Sequence, residues 1–210
     1  MITFYYTPDT CSLASHLALE QADARYELVK IDFARNQQRS PEYLKVNPKG
    51  RVPALITERG VLTETPALLE FIAQTHPKAG LAPFDDPFAL AQMNAFNSYL
   101  CSTVHVAHSH RMRGARWADD PAAWEAMKKK APQAVADGFA LIESDYLRGP
   151  WVLGERFSTS DFYLLTLARW LEDDGVDTAR LPRVLDHRRR MLELPLVRRV
   201  IVQEEGHPRR

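Results

Sequence analysis

Cysteine is nearly absent from this chain of 210 residues: only Cys11 and Cys101 occur. Two thiols define no disulfide framework and cannot build a thiol metal site, so each must be explained singly. Net charge is also missing, because 27 basic residues balance 27 acidic ones. That balance gives no electrostatic reason to expect a nucleic-acid partner, and the basic runs at 111–116, 128–130 and 188–190 read as solvated helix faces. No apolar run approaches the ~20 residues that span a bilayer. The opening Met1-Ile2-Thr3-Phe4 lacks a signal peptide's basic start, which places the expected protein in the cytoplasm. Internal repeats and low-complexity tracts are lacking too. What remains has the composition of a soluble globular protein, 45% hydrophobic and 26% charged, long enough for one large domain or two small ones.

The first third reads as strand Ile2–Tyr6, a helix from about Cys11, strand Tyr26–Asp32, a polar loop, a short helix near Pro41–Lys45, and a strand behind Pro53. Asp9 or Thr10 would cap the first helix. A hairpin turning at Arg59-Gly60 comes next, then Glu64-Thr65-Pro66, with Thr65 as expected N-cap and Pro66 as first helical residue. Three features carry chemistry. Pro53 opens a strand although it has no amide to donate, which leaves Val52 free for an extended peptide ligand or marks an ordinary loop end. The helix start at Thr65 would hold a carboxylate, with Glu64 beside it for an ammonium, or would simply be a capped turn. Cys11, near a helix N-terminus, is either a thiol of lowered pKa or a small buried hydrophobe. Position 14 is Ala, so no Cys-x-x-Cys dithiol exists.

Taken together, Pro8-x-x-Cys11-Ser12-Leu13-Ala14-x-His16, Asn47-Pro48-Lys49-Gly50-x-Val52-Pro53-Ala54-Leu55 and Leu62-Thr63-Glu64 resemble the glutathione S-transferase superfamily, most closely its bacterial beta class. The resemblance implies a thioredoxin-like α/β domain (1–77), a linker (78–87) and an all-α domain (88–210). It implies a cis bond before Pro53, backbone pairing of Val52 with the cysteinyl part of glutathione, and Glu64 and Thr65 at its γ-glutamyl end. Cys11 would face the glutathione sulfur, with His105 across the cleft and Ser102 and Thr103 beside it. Arg35 would take the glycyl end. The implied activity is a detoxifying conjugation of glutathione, as co-substrate, to a small electrophile, in a homodimer and without metal. Glutathione-dependent thiol-disulfide exchange and a non-catalytic binding module are the alternatives. Tyr5, Tyr6 and Ser12 compete with Cys11 as the group that activates the sulfur.

The second half is helical in pattern: 88–105, then 122–146 with an expected break at Pro132. His105, His108 and His110 lack the spacing of a metal-binding helix. Cys101 is expected in the core. The segment Arg111–Trp117 is either plain surface or part of a second-substrate pocket suited to anionic electrophiles. Ser158 and Asp161 form an expected capping box with Phe157 on Phe162, starting a core helix from Thr159 to about Glu172.

Overall fold

The computed structural model describes residues 2–205. Its first part runs β1 (Ile2–Tyr6), α1 (Ser12–Gln21), β2 (Tyr26–Lys30), α2 (Pro41–Val46), β3 (Ala54–Thr57), β4 (Gly60–Thr63) and α3 (Thr65–Thr75). The strands form one sheet in the order β2-β1-β3-β4. β1 and β2 are parallel, Phe4 opposite Leu28, as expected of strands joined through a helix. β3 runs antiparallel to both β1 and β4. The hairpin turns one residue earlier than expected, with Gly60 already the first residue of β4.

Every residue of helix α1 from Ser12 to Leu19 is buried. The helix lies between the sheet and three other helices, and some of its polar groups are met inside, whereas Ser15 Oγ and His16 Nε2 have no partner among the described residues. Ser12 Oγ donates to the Thr7 carbonyl at 3.1 Å, and His16 Nδ1 meets Glu204 Oε1 at 2.8 Å. Thr10, rather than Asp9, serves the helix start: its Oγ1 accepts from the Ser12 amide at 3.3 Å and its carbonyl from the Leu13 amide at 3.2 Å.

Gly50 sits at φ 60°, and a Cβ there would lie 2.9 Å from the Gln38 carbonyl oxygen. Only glycine meets both conditions. Beyond it, the Arg51 carbonyl accepts from Tyr43 Oη and from Asn47 Nδ2, each at 2.7 Å, which pins the turn leading into the cis Val52-Pro53 bond. The start of α3 differs from expectation: Glu64, at φ 73°, precedes the helix, and Thr65 is already its first residue.

The stretch expected to be a linker is fastened down. Leu81 and Ala82 are buried, the Leu81 carbonyl accepts from the Thr159 amide at 3.0 Å, and Asp86 caps the next helix. The second part then comprises α4 (Pro87–Tyr99), a π-helical turn (Leu100–Val104), α5 (His105–His110), α6 (Pro121–Leu141), a second π-helical turn (Ile142–Tyr146), α7 (Thr159–Ala168), α8 (Pro182–Glu193) and α9 (Pro195–Glu205). Pro132 does not break α6. Burial of Ala131, Val135 and Phe139 on one face outweighs the ~3 kcal/mol that an interior proline costs. One continuous core cluster runs from Phe4 in β1 to Val200 in α9. Among the described residues no helix is long and apolar enough to cross a membrane.

The capping box at α7 is present, with Phe157 edge-on to Phe162. Asp161 does more than cap: its buried carboxylate accepts from the amides of Val152 (2.9 Å) and Ser158 (2.8 Å) and meets His187 Nε2 at 3.0 Å. Replacing Asp161 with Ala leaves these groups unsatisfied in the core, and a loss of roughly 3–5 kcal/mol is expected. Asp161→Asn keeps one acceptor oxygen, so urea unfolding should rank wild type above Asn above Ala. An unshifted midpoint for the Ala variant would refute this role.

Candidate active site

Between the two parts of the chain lies a cleft of about 570 Å³, lined by Cys11, Val52, Pro53, Glu64, Thr65 and His105 among others. That volume suits a small-molecule ligand. Six of the expected site residues therefore meet, although they come from four separate segments. The Cys11 thiol points at the Val52 carbonyl at 3.5 Å. The β3 ladder begins only at Ala54, which leaves Val52 outside the sheet and beside the cleft. Glu64 pairs with Lys49 Nζ at 2.6 Å; both side chains are about half exposed, so this pair adds little stability. Its backbone φ of 73° is strained for a residue other than glycine, and such strain tends to persist at ligand sites.

Three expected residues fall elsewhere. Arg35 is exposed, stands 3.6 Å from Asp32 Oδ2 and lines an adjoining depression but not the cleft; Asn36 and Arg39 of the same loop line both. Asn36, at φ 56°, turns the loop there. Ser102 and Thr103 are exposed and are not among the cleft-lining residues. Both lie in the π-helical turn, across which Cys101, His105, His108 and Met112 face inward at spacings of four, three and four. Cys101 is thus a wall residue rather than core.

The Cys11 thiol is not the activated group expected from its helix-end position. Burial pushes its pKa up to about 11, Cys101 and Glu64 add to the rise, and the Thr65 side chain only partly opposes it. The first amides of α1 are spent on Thr10, so they are not free to stabilise a thiolate. The hydroxyl competitors fare no better. Tyr6 is 1% exposed and does not line the cleft; Ser12 is fully buried and bonded to Thr7 and Thr10; Tyr5 lies outside the cleft lining.

A residue that sequence reasoning missed, Tyr163 of α7, lines the cleft. Its buried hydroxyl neighbours the Cys101 thiol, and burial together with the nearby Cys11 and Cys101 raises its pKa well above the usual 10.0. Nothing in the local pattern of α7 marks it, because that helix is buried on all sides. Trp170 and Trp117 are also cleft residues; Trp170 stacks on His108 at 4.3 Å, and its indole N–H reaches Asp9 Oδ1 at 3.3 Å. His108 faces Asp174 at 2.7 Å. Among the described residues no group of three or more His, Cys, Asp or Glu side chains could hold a metal ion.

A four-stranded α/β sheet domain that presents a cis-proline turn and a helix start to a cleft closed by an all-helical domain is the architecture of the thioredoxin-like glutathione transferases. Residues 1–74 match the family model for the glutathione S-transferase N-terminal domain. A glutathione transferase homologue from Sulfitobacter, crystallised with bound glutathione, is 47% identical and superimposes with a TM-score of 0.93, covering 98% of each chain. The beta-class glutathione S-transferase of Sphingomonas chungbukensis is 30% identical with a TM-score of 0.84, over 97% of this chain and 98% of that one. A maleylacetoacetate isomerase of Pseudomonas aeruginosa is 27% identical over 88% of this chain and 86% of its own. The chain belongs to the glutathione S-transferase family.

His105 is held neutral. Burial, then His108, Arg116 and Arg51, lower its pKa to about 4 from 6.5. The unfolded chain therefore binds a proton at this residue below pH 6.5 that the folded one refuses until about pH 4. Its contribution is complete above pH 6.5 and is lost as pH falls through that window. His105→Asn should remove roughly 2–3 kcal/mol of acid sensitivity between pH 6.5 and 4. Parallel urea titrations of both proteins across that range check this, and identical pH slopes would refute it.

Proposed function

We propose that the protein binds glutathione in this cleft and conjugates it to a small electrophile. The observation that carries the reading is the meeting of the Cys11 thiol with the Val52 carbonyl, beside the start of α3 at Glu64 and Thr65. An extended tripeptide fits these residues. The free backbone at Val52 would pair with its middle residue. The first amides of α3 and the Thr65 hydroxyl suit the γ-glutamyl carboxylate, and Glu64 suits the ammonium. Arg39, rather than Arg35, lines the same cleft and suits the glycyl carboxylate.

The reaction requires the glutathione sulfur to lose its proton to solvent, form a C–S bond and expel a leaving group that keeps its electron pair. Arg51, whose positive charge is felt at His105, would favour the thiolate, as a fixed charge does in a water-poor site. Cys11 is placed to help as a neutral donor. With a pKa of about 11, only about one molecule in ten thousand carries the Cys11 thiolate at pH 7. An S–H group beside another sulfur donates a weak hydrogen bond to a thiolate. His105, also neutral, supplies a second polar group on the opposite wall. Such a protein would act in the cytoplasm, and the homodimer that the family resemblance implies is testable by light scattering.

A second reading is glutathione-dependent isomerisation of an unsaturated acid, favoured by the likeness to maleylacetoacetate isomerase over most of the chain. Loss of maleylacetoacetate absorbance in the presence of glutathione tests it directly.

If Cys11 acts as a neutral donor, Cys11→Ala should lower kcat for 1-chloro-2,4-dinitrobenzene by about tenfold and shift the pH–rate profile upward, while Cys11→Ser partly restores both. Glutathione binding, measured by calorimetry, should weaken about tenfold in Glu64→Gln. Complete loss of turnover in the Ala variant would instead assign Cys11 a covalent role, and failure of the wild type to bind glutathione would remove the reading altogether.

A further inference from the structure

Nine arginines elsewhere in the described chain, Arg111 and Arg188 among them, lie within 4 Å of a carboxylate. The four that line the cleft, Arg39, Arg51, Arg113 and Arg116, enter no such pair among the described residues. They are close enough to one another that Arg51, Arg113 and Arg39 all depress the pKa of Arg116, after the larger effect of burial. The cleft's own carboxylates are engaged: Asp9 accepts from Trp170 and Glu64 pairs with Lys49. Like charges gathered without counter-ions repel one another, and a structure that keeps them so has an anion to bind.

Two of the four are accounted for by glutathione on the reading above, Arg39 by the glycyl carboxylate and Arg51 by the thiolate. Arg113 and Arg116 stand in a different segment, between α5 and α6. That segment is anchored at both ends. Arg111 Nη1 donates to the Asp173 carbonyl at 2.5 Å and its Nε lies 2.9 Å from Asp174 Oδ1. On the far side, buried Gly114 packs so tightly on Trp124 that a Cβ would come within 2.8 Å of it, and Trp124 Nε1 donates to the Ala118 carbonyl at 2.5 Å. The guanidiniums therefore leave a fixed backbone. Their neighbours at the cleft are apolar and exposed: Met112 is 63% and Trp117 43% accessible, and the Trp117 ring is met edge-on by His110 at 4.4 Å, which leaves ring surface to solvent. Exposed apolar surface beside unpaired cations matches a ligand with a flat apolar body and an anionic group.

We infer that the second substrate is a flat unsaturated or aromatic electrophile bearing a carboxylate, whose anionic group is held by Arg113 and Arg116 against Trp117 and Met112. As a statement about the second substrate this rests on the glutathione reading; as an anion site it does not.

The test uses 4-chloro-3,5-dinitrobenzoate and its methyl ester, each kcat/KM being divided by that electrophile's uncatalysed rate constant with glutathione, because the neutral ester activates the ring more strongly than the carboxylate does. In both, the glutathione sulfur bonds to the ring carbon carrying chlorine, chloride leaves with the C–Cl electron pair, and the thiol proton passes to solvent. The wild type should favour the carboxylate at least tenfold in kcat/KM at low salt. In R113Q/R116Q that preference should fall at least tenfold, and in R113K/R116K only in part. R148Q/R180Q removes the same charge outside the cleft and should keep the wild-type ratio. A wild-type ratio near one, or a ratio that R113Q/R116Q leaves unchanged, overturns the proposal. In parallel, quenching of tryptophan fluorescence by 3,5-dinitrobenzoate, which has no leaving group, reports the site without glutathione. Binding at least tenfold weaker in R113Q/R116Q supports the anion site even if calorimetry shows no glutathione binding, which would defeat only the glutathione reading. Equal binding by both proteins defeats the anion site alone.

Discussion

Everything at the cleft depends on the enclosure of helix α1. Its residues from Ser12 to Leu19 are buried on every side, so the helix can neither slide nor roll without opening the core. Two points along it are then fixed. Midway along it the buried contact between His16 and Glu204 fastens it to the last described helix, where burial raises the Glu204 pKa. At its N-terminal end, Cys11 is delivered to the Val52 carbonyl. Val52, 41 positions later in sequence, is held on its other side by a small cluster with Ile31 and Tyr43.

The same enclosure sets the chemistry of that thiol. A helix N-terminus stabilises a negative charge by ~0.3–1 kcal/mol, but removing a thiolate from water costs more. Here desolvation prevails, and the amides that would have opposed it already serve Thr10. The wall opposite shows the same physics with the reverse sign: enclosure and two nearby guanidiniums keep His105 uncharged. The cleft thus places neutral polar groups next to where the reacting sulfur would sit and cationic groups around them, an arrangement that favours a charge brought in by a ligand over one carried by the protein.

The helical half supplies the second wall from one helix face. Across the π-helical turn between α4 and α5 the inward residues Cys101, His105, His108 and Met112 keep spacings of three and four, the period of a single face. Ser102 and Thr103 fall off that face and are exposed.

Much of this could be read from the chain alone. Strand and helix periods in the first 75 residues, the capping box at Ser158 and Asp161, and the cluster of Cys11, Pro53 and Glu64-Thr65 all rest on local rules, because spacing, turn chemistry and caps depend on near neighbours. The glutathione transferase architecture followed from those motifs in order. Other features depend on what packs against a residue from far away, and these only the tertiary structure decided. Pro132 stays helical because its helix face is buried; Arg39 lines the cleft where Arg35 does not; Tyr163 reaches the site from a helix that looks uniformly apolar. The state of Cys11 belongs to the same group. Sequence places a thiol at a helix start, but its proton is governed by how much water remains around the sulfur, and that quantity exists only once distant segments have closed over it.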